Sequence, residues 1–281
     1  MKYGFVVPNN FGVADPNDVA SIGVLAEELG FDSVWVNHHV LNIGYVRDRL
    51  ENRPYHDALV MLTWLAAHTS RVRLGTSVLV LPYLHPMVLA KELATLDHLS
   101  NGRLVVGVGV GSLPEENEAL GVPYDTRGAY TNEFLEVMLR LWTQEHATYD
   151  GNFFEFEGVM ASPKPIQQPH PPIVIGGNKP PALRRVARLG DGWHPLGVSP
   201  DGVRERLVTI RAEAAAVERE EVPTEVQVRL ELARVTPESS QDYEAAGVTE
   251  LVMSMSTGGI AEIRDGLEHF AATFFAETPA R

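Results

Sequence analysis

Short runs of β-branched and other apolar residues recur along this chain at 3–7, 33–37, 72–79, 104–110, 173–175, 192–196, 225–232 and 250–255. Between them, apolar positions return every three or four residues over 19–29, 58–67, 87–99, 131–142, 182–189, 203–218 and 260–275, with a weaker pattern at 237–246. The first pattern predicts strands and the second amphipathic helices. Strands alternating with helices predict a parallel sheet, because parallel neighbours need a crossover between them. Eight such strands, evenly spaced and with no domain-splitting linker, predict an α/β fold of the closed (β/α)8 TIM-barrel type in one domain, 1–281; an open doubly wound sheet is the structural rival.

Between the fourth and fifth strands the rhythm breaks. The segment from Tyr149 to Gly158 predicts a small hairpin around Asp150-Gly151-Asn152, and the proline-rich stretch 162–172 predicts a stiff, extended connector rather than a second domain. Composition narrows the partners. Lys and Arg total 23 against 37 Asp and Glu, a net charge of −14, which argues against nucleic acid or an anionic membrane as partner and leaves any anionic ligand to local groups. The absence of cysteine excludes thiolate metal sites, thiol catalysis and disulfides. The first apolar run is too short for a signal peptide and no later run approaches a membrane span, so a cytoplasmic protein acting on a small molecule is the expectation.

In barrels of this kind the chemistry sits where the strands end. Strand two ends in His38-His39, which face opposite ways; adjacent histidines chelate poorly, and the other histidines lack ligand spacing, so no metal is expected. One histidine at this strand end is an acid/base candidate, although a structural role suits it too. Strand three ends through Thr76, Ser77 and Val78, and the hydroxyls of Thr76 and Ser77 can bond a polar ring edge. Strand four carries Gly107, Gly109 and Gly111 at period two, followed by Ser112. A bare face makes room for something flat, or merely relieves crowding; the spacing is not that of a dinucleotide fingerprint. Strand five runs into Gly176-Gly177-Asn178 and then Lys179-Pro180-Pro181, predicting a glycine turn and a proline-started helix with Asn178 as cap. Such a helix start suits a phosphate; a tight connection without ligand is the alternative.

Thr76-Ser77-Val78, the run from Leu89 to Arg103, the glycine strand, Pro171 to Gly177, Leu183 to Ala187 and Asp191-Gly192-Trp193 together resemble the luciferase-like monooxygenase family, and more narrowly its deazaflavin-dependent oxidoreductase branch. The likeness runs in consistent order from Met1 to about Trp193. It implies a flavin or 5-deazaflavin at the barrel mouth, its ring against Thr76, Ser77, Val78, Gly107, Gly109, Gly111 and Ser112, and its phosphate at Gly176, Gly177 and Asn178. It also implies a non-prolyl cis peptide at Ser77-Val78, His39 as the catalytic histidine, and a homodimer packed through the outer helices near strands two to four.

Three departures stand out. The deazaflavin-dependent sugar-phosphate dehydrogenases carry an Asp before that histidine and an acidic residue after the strand-four glycines, where this chain has His38 and Ser112; an aromatic a few positions beyond the histidine is replaced by Ile43. Sugar-phosphate oxidation is therefore not expected, and the segment 42–55 is a candidate cover for the pocket. The expected function is hydride transfer between coenzyme F-420 and a small organic substrate. The alternatives are an FMN-dependent monooxygenase fed by a separate reductase and a non-catalytic flavin-binding protein.

Overall fold

The structure, a computed structural model, describes residues 1–256 and 258–275. Its strands are β1 (Lys2–Val6), β2 (Ser33–Val36), β3 (Arg73–Thr76), β4 (Leu79–Val80), β5 (Leu104–Gly109), β6 (Ala147–Asp150), β7 (Glu155–Val159), β8 (Ile173–Gly176), β9 (Gly192–His194), β10 (Glu225–Glu231) and β11 (Glu250–Ser254). The helices are α1 (Pro16–Leu29), α2 (Gly44–Leu50), α3 (Ala58–His68), α4 (Pro86–Leu99), α5 (Pro114–Ala119), α6 (Arg127–Thr143), α7 (Pro180–Leu189), α8 (Pro200–Ala215), α9 (Pro237–Ala245) and α10 (Ile260–Phe274). Parallel pairing runs β1, β2, β3, β5, β8, β9, β10, β11 and back to β1, which closes the expected eight-stranded barrel. No helix among the described residues is long and apolar enough to cross a membrane.

The expected hairpin is β6 paired antiparallel to β7. The connector after it is held down by Asp97, whose carboxylate accepts from the Gln167 amide at 3.0 Å and the Gln167 side chain at 2.7 Å. The weak seventh crossover is α9, begun by a capping box in which Thr236 and Ser239 satisfy each other's backbone amides. Three details differ from expectation. The third strand is not continuous over 72–79 but breaks into β3 and β4. Two short helices, α2 and α5, rise from segments with no periodic signal; helices of 7 and 6 residues span too few turns to show one. The sixth strand stops at His194, with Leu196 reaching only one isolated bridge to Arg229.

Apolar side chains fill the layer between helices and barrel. A second, smaller cluster of Val6, Trp35, Val105, Val174 and Val252 fills the barrel itself. Below Trp35 the floor is polar and paired: Arg73 donates to both oxygens of Glu225 at 3.0 and 2.8 Å, Gln227 bridges Glu225 and Glu250, and Ser33 links Glu250 to the Trp35 indole. Trp35 stacks on His194 with centroids 4.8 Å apart and lies so close to Gly75 that a Cβ there would meet its ring at 2.2 Å. The barrel is therefore closed from below, and a ligand can enter only at the C-terminal ends of the strands.

At that end β3 and β5 touch. The Thr76 hydroxyl donates to the Gly107 carbonyl at 2.7 Å and accepts from the Gly107 amide at 2.9 Å, and a Cβ at Gly107 would lie 1.8 Å from the Thr76 carbonyl oxygen. Both obstacles are backbone, which cannot swing aside. Gly107→Ala is expected to destabilise the protein by about 3 kcal/mol or more. Urea unfolding of the two proteins measures it, and a loss under about 1 kcal/mol would show that β3 can retreat.

Candidate active site

The peptide bond between Ser77 and Val78 is cis, as the sequence resemblance implied, and it marks the break between β3 and β4. The glycines beside it do something other than leave space for a ring. A Cβ at Gly109 would meet Val78 Cγ2 at 2.8 Å, one at Gly176 would meet Val78 Cγ1 at 3.1 Å, and one at Gly111 would meet Val80 Cγ1 at 2.8 Å. With Gly107 against Thr76, the bare face is filled by the bulge itself. Gly111 lies past the strand, at φ +77°, where an L side chain is strained. The hydroxyls are also committed: Thr76 to Gly107, and Ser77 Oγ to His194 Nε2 at 2.8 Å and Arg229 Nη1 at 3.1 Å. What the bulge offers to the mouth is Val78 and backbone, not free hydroxyls.

His39 follows β2 and is part-buried. Its Nδ1 lies 2.5 Å from Glu116 Oε2, and the other carboxylate oxygen of Glu116 accepts from the amides of Val40 and Leu41 at 2.7 and 3.0 Å. Burial of Glu116 works to raise its pKa, but the bonds from His39 and the two amides outweigh it and hold the carboxyl below its ordinary value. An ionised Glu116 accepts a hydrogen bond from His39 Nδ1–H, which leaves Nε2 as the acceptor atom; Tyr45 donates to it at 2.7 Å. The acid missing at Ser112, which is exposed, thus arrives from α5 one turn later. The aromatic missing at Ile43 arrives as Tyr45. Sequence reasoning missed both because α2 and α5 are too short to be read; Glu116 after Pro114 was the available signal.

His38 points the other way, as the alternation of a strand requires. It is buried, and its Nδ1 accepts from the Val80 amide at 3.0 Å, tying β2 to β4. Burial drives its pKa down to about 4, and that of the buried His194 down to about 3, so both are neutral at pH 7.

The glycine turn also differs in detail. Asn178 does not cap α7: its Nδ2 donates to the Leu196 carbonyl at 3.0 Å, and Lys179 stands at the N-cap without a side-chain bond. Pro180 and Pro181 have no N–H, so the first helical turn offers fewer donors than an ordinary one. The amides of Gly177, Asn178 and Lys179 nonetheless have no partner among the described residues, and Gly177, at φ +111°, turns the chain there. Asn178 Oδ1 is buried without a partner. Three successive free amides beside a lysine still make an anion cradle.

Comparison with known proteins decides the family. The family model for luciferase-like monooxygenase matches residues 1–262. This chain is a member of the luciferase-like monooxygenase family. Among its relatives are the F-420-dependent glucose-6-phosphate dehydrogenase of Kineococcus radiotolerans, 37% identical over 63% of this chain and 52% of the relative, and the FMNH(2)-dependent dimethylsulfone monooxygenase of Pseudomonas putida, 31% identical over 68% and 52%. In fold it is similar to an F-420-dependent secondary alcohol dehydrogenase solved with an F-420-acetone adduct, at a TM-score of 0.80, 17% identity and 99% of both chains. Within this luciferase-like frame, Ser77, Val78, His39 and Gly177 all follow C-terminal ends of barrel strands, and Thr76 packs on Gly107 beneath the bulge.

The two neutral histidines make stability depend on pH. Below 6.5, the ordinary value, the unfolded chain takes up protons that folded His38 and His194 refuse, so stability falls as pH drops from 6.5 toward their folded values. Each is expected to cost on the order of 2 kcal/mol between pH 7 and pH 5. Urea unfolding at the two pH values checks this; His194→Phe, which keeps a ring on Trp35, should flatten the slope, and an equal slope would mean His194 protonates in place.

Proposed function

We propose that this luciferase-like protein is an oxidoreductase that moves a hydride between coenzyme F-420 and a small organic substrate. The observation that carries the reading is the buried Glu116 carboxylate on His39 Nδ1, at the strand end next to the bulge. Bound at the mouth, the deazaflavin would supply a carbon that accepts or donates hydride. Val78 and the bulge would back the ring, and the amides of Gly177, Asn178 and Lys179 would hold the phosphate, with Gly176 closing the turn. The protein's own task is the proton. Hydride loss from a hydroxyl-bearing carbon requires loss of the hydroxyl proton, which His39 Nε2 takes once the substrate hydroxyl replaces that of Tyr45 as its donor, or returns in the reverse direction; Glu116 fixes the tautomer and stabilises the imidazolium. The free amides fit a phosphate-bearing ligand, and the relative at 37% identity uses F-420. The setting proposed is the cytoplasm, with a separate reductase returning reduced cofactor.

Calorimetry of the purified protein with F-420 and with FMN, side by side, tests the cofactor. The expectation is tighter binding of F-420, lost in Gly177→Glu, which puts a carboxylate into the cradle. His39→Ala should cost about 10²-fold in turnover with cofactor affinity kept. Glu116→Gln should lower kcat more than it raises KM and should shift the pH profile. Preference for FMN with oxygen consumption would replace this reading by the monooxygenase one. Binding without any turnover would leave a flavin-binding protein.

We also propose a homodimer. Outside the barrel, away from the mouth, a groove of about 690 Å³ runs between α1, α3 and α4, and Val60, Trp64 and Leu99 stand 68%, 44% and 62% exposed there. Contiguous apolar surface on so charged a protein suits a second copy of the chain. Sedimentation should give a dimer, and Val60→Glu with Trp64→Glu a folded monomer. A monomeric wild type would remove the proposal.

A further inference from the structure

The mouth of this acidic protein carries two arginines with no acid beside them. Arg229 projects from β10, and Arg49 from α2 above it; no carboxylate lies within 4.0 Å of either among the described residues. The nearest acid along the strand, Glu231, turns its carboxylate to Ser256, which it bonds at 2.6 Å. Arg229 uses only one of its nitrogens: Nη1 donates to Asn37 Oδ1 at 2.5 Å, and to Ser77 O and Oγ at 3.1 Å each. The opposite edge of the guanidinium, Nε and Nη2, makes no hydrogen bond, and Nε is buried. That edge is the one that matches the two oxygens of a carboxylate side by side.

Other unsatisfied donors share the region. Asn37, whose Oδ1 Arg229 holds, keeps a buried Nδ2 without a partner, and the buried Tyr55 hydroxyl has none either. Burial raises the pKa of Tyr55, while both Arg49 and Arg229 are near enough to pull against that rise. Burial lowers the pKa of Arg229, the Glu231 carboxylate pulls against that fall from beyond salt-bridge distance, and the charge of Arg49 adds a little to it. Arg49 reaches the Asn10 carbonyl at 3.0 Å, and the Tyr55 ring stands edge-on to His39 with centroids 5.8 Å apart. Three buried donors, Arg229 Nε, Asn37 Nδ2 and the Tyr55 hydroxyl, therefore lack an acceptor, with the Arg49 guanidinium near them, and the set suits an anion with several oxygens.

We infer that the substrate carries a carboxylate, gripped by the Nε–Nη2 edge of Arg229 with Arg49, Asn37 Nδ2 and the Tyr55 hydroxyl, so that its neighbouring carbon faces His39. This deepens the oxidoreductase reading and rests on it for the chemistry, though not for the binding. Arg229 is thereby a substrate anchor that also props the bulge through Ser77, coupling the seat of the ring to occupancy of the anion site.

The test is titration of the full-length protein, ¹⁵N-labelled, with acetate and benzoate, with their neutral counterparts acetamide and benzamide, and with inorganic phosphate, following the Arg229 Nε–H and Asn37 Nδ2 signals. Both carboxylates, or benzoate alone, should saturate these shifts while the amides leave them unmoved. Arg229→Lys, which keeps the charge and loses the fork, should weaken carboxylate binding about tenfold or more. Arg49→Gln and Tyr55→Phe should weaken it by about two- to tenfold each, and both leave the Arg229 bonds to the bulge intact, so the test survives a misfolded Arg229 variant. Saturation by phosphate alone, equal binding of the amides, no binding, or binding untouched by Arg49→Gln and Tyr55→Phe would each overturn the inference. Carboxylate binding at Arg229 in a protein that binds neither F-420 nor FMN would sink the oxidoreductase reading and keep the anion site; cofactor binding without carboxylate binding would do the reverse.

Discussion

The contact on which the mouth depends is the one between Thr76 and Gly107. A strand end can lean this far onto its neighbour only where the neighbour has no side chain, and the hydroxyl of Thr76 then satisfies both backbone groups of Gly107 that the lean would strand. The consequences travel outward. Ser77 is delivered to His194 and Arg229, Val78 is packed against Gly109 and Gly176, and Val80 is brought to His38. A small change in strand packing therefore decides where the side chains of Ser77, Val78 and Val80 stand.

Charge is arranged in the opposite sense to composition. The chain is acidic, yet its barrel mouth is basic: acids there are bound to a histidine or to backbone amides, as Glu116 is, while Arg49 and Arg229 remain without acidic partners. On the floor of the same barrel Arg73 meets Glu225 through two hydrogen bonds, and burial pushes Glu250 up toward its neutral form. The pairs at the bottom hold the floor of the barrel, while at its other end Arg229 keeps one guanidinium edge unbonded.

The barrel, the order of its strands and the strand ends from which its candidate site is built were legible without coordinates, because alternation of strand and helix, period-two glycines and proline-started helices are local signals that survive in sequence. The family resemblance rests on the same local runs, and the cis peptide at Ser77-Val78 and the opposed directions of His38 and His39 followed from them. Tertiary structure decided the rest. That the glycine stripe seats a bulge, that Glu116 and not Ser112 backs His39, that Asn178 bonds Leu196 instead of capping α7, and that Arg229 meets Ser77 from 152 residues away are all long-range facts. Periodicity says which face of an element is buried; it says nothing of which atoms from other elements lie opposite, and hydrogen bonds, charge pairing and the direction of a pKa shift depend on those atoms alone.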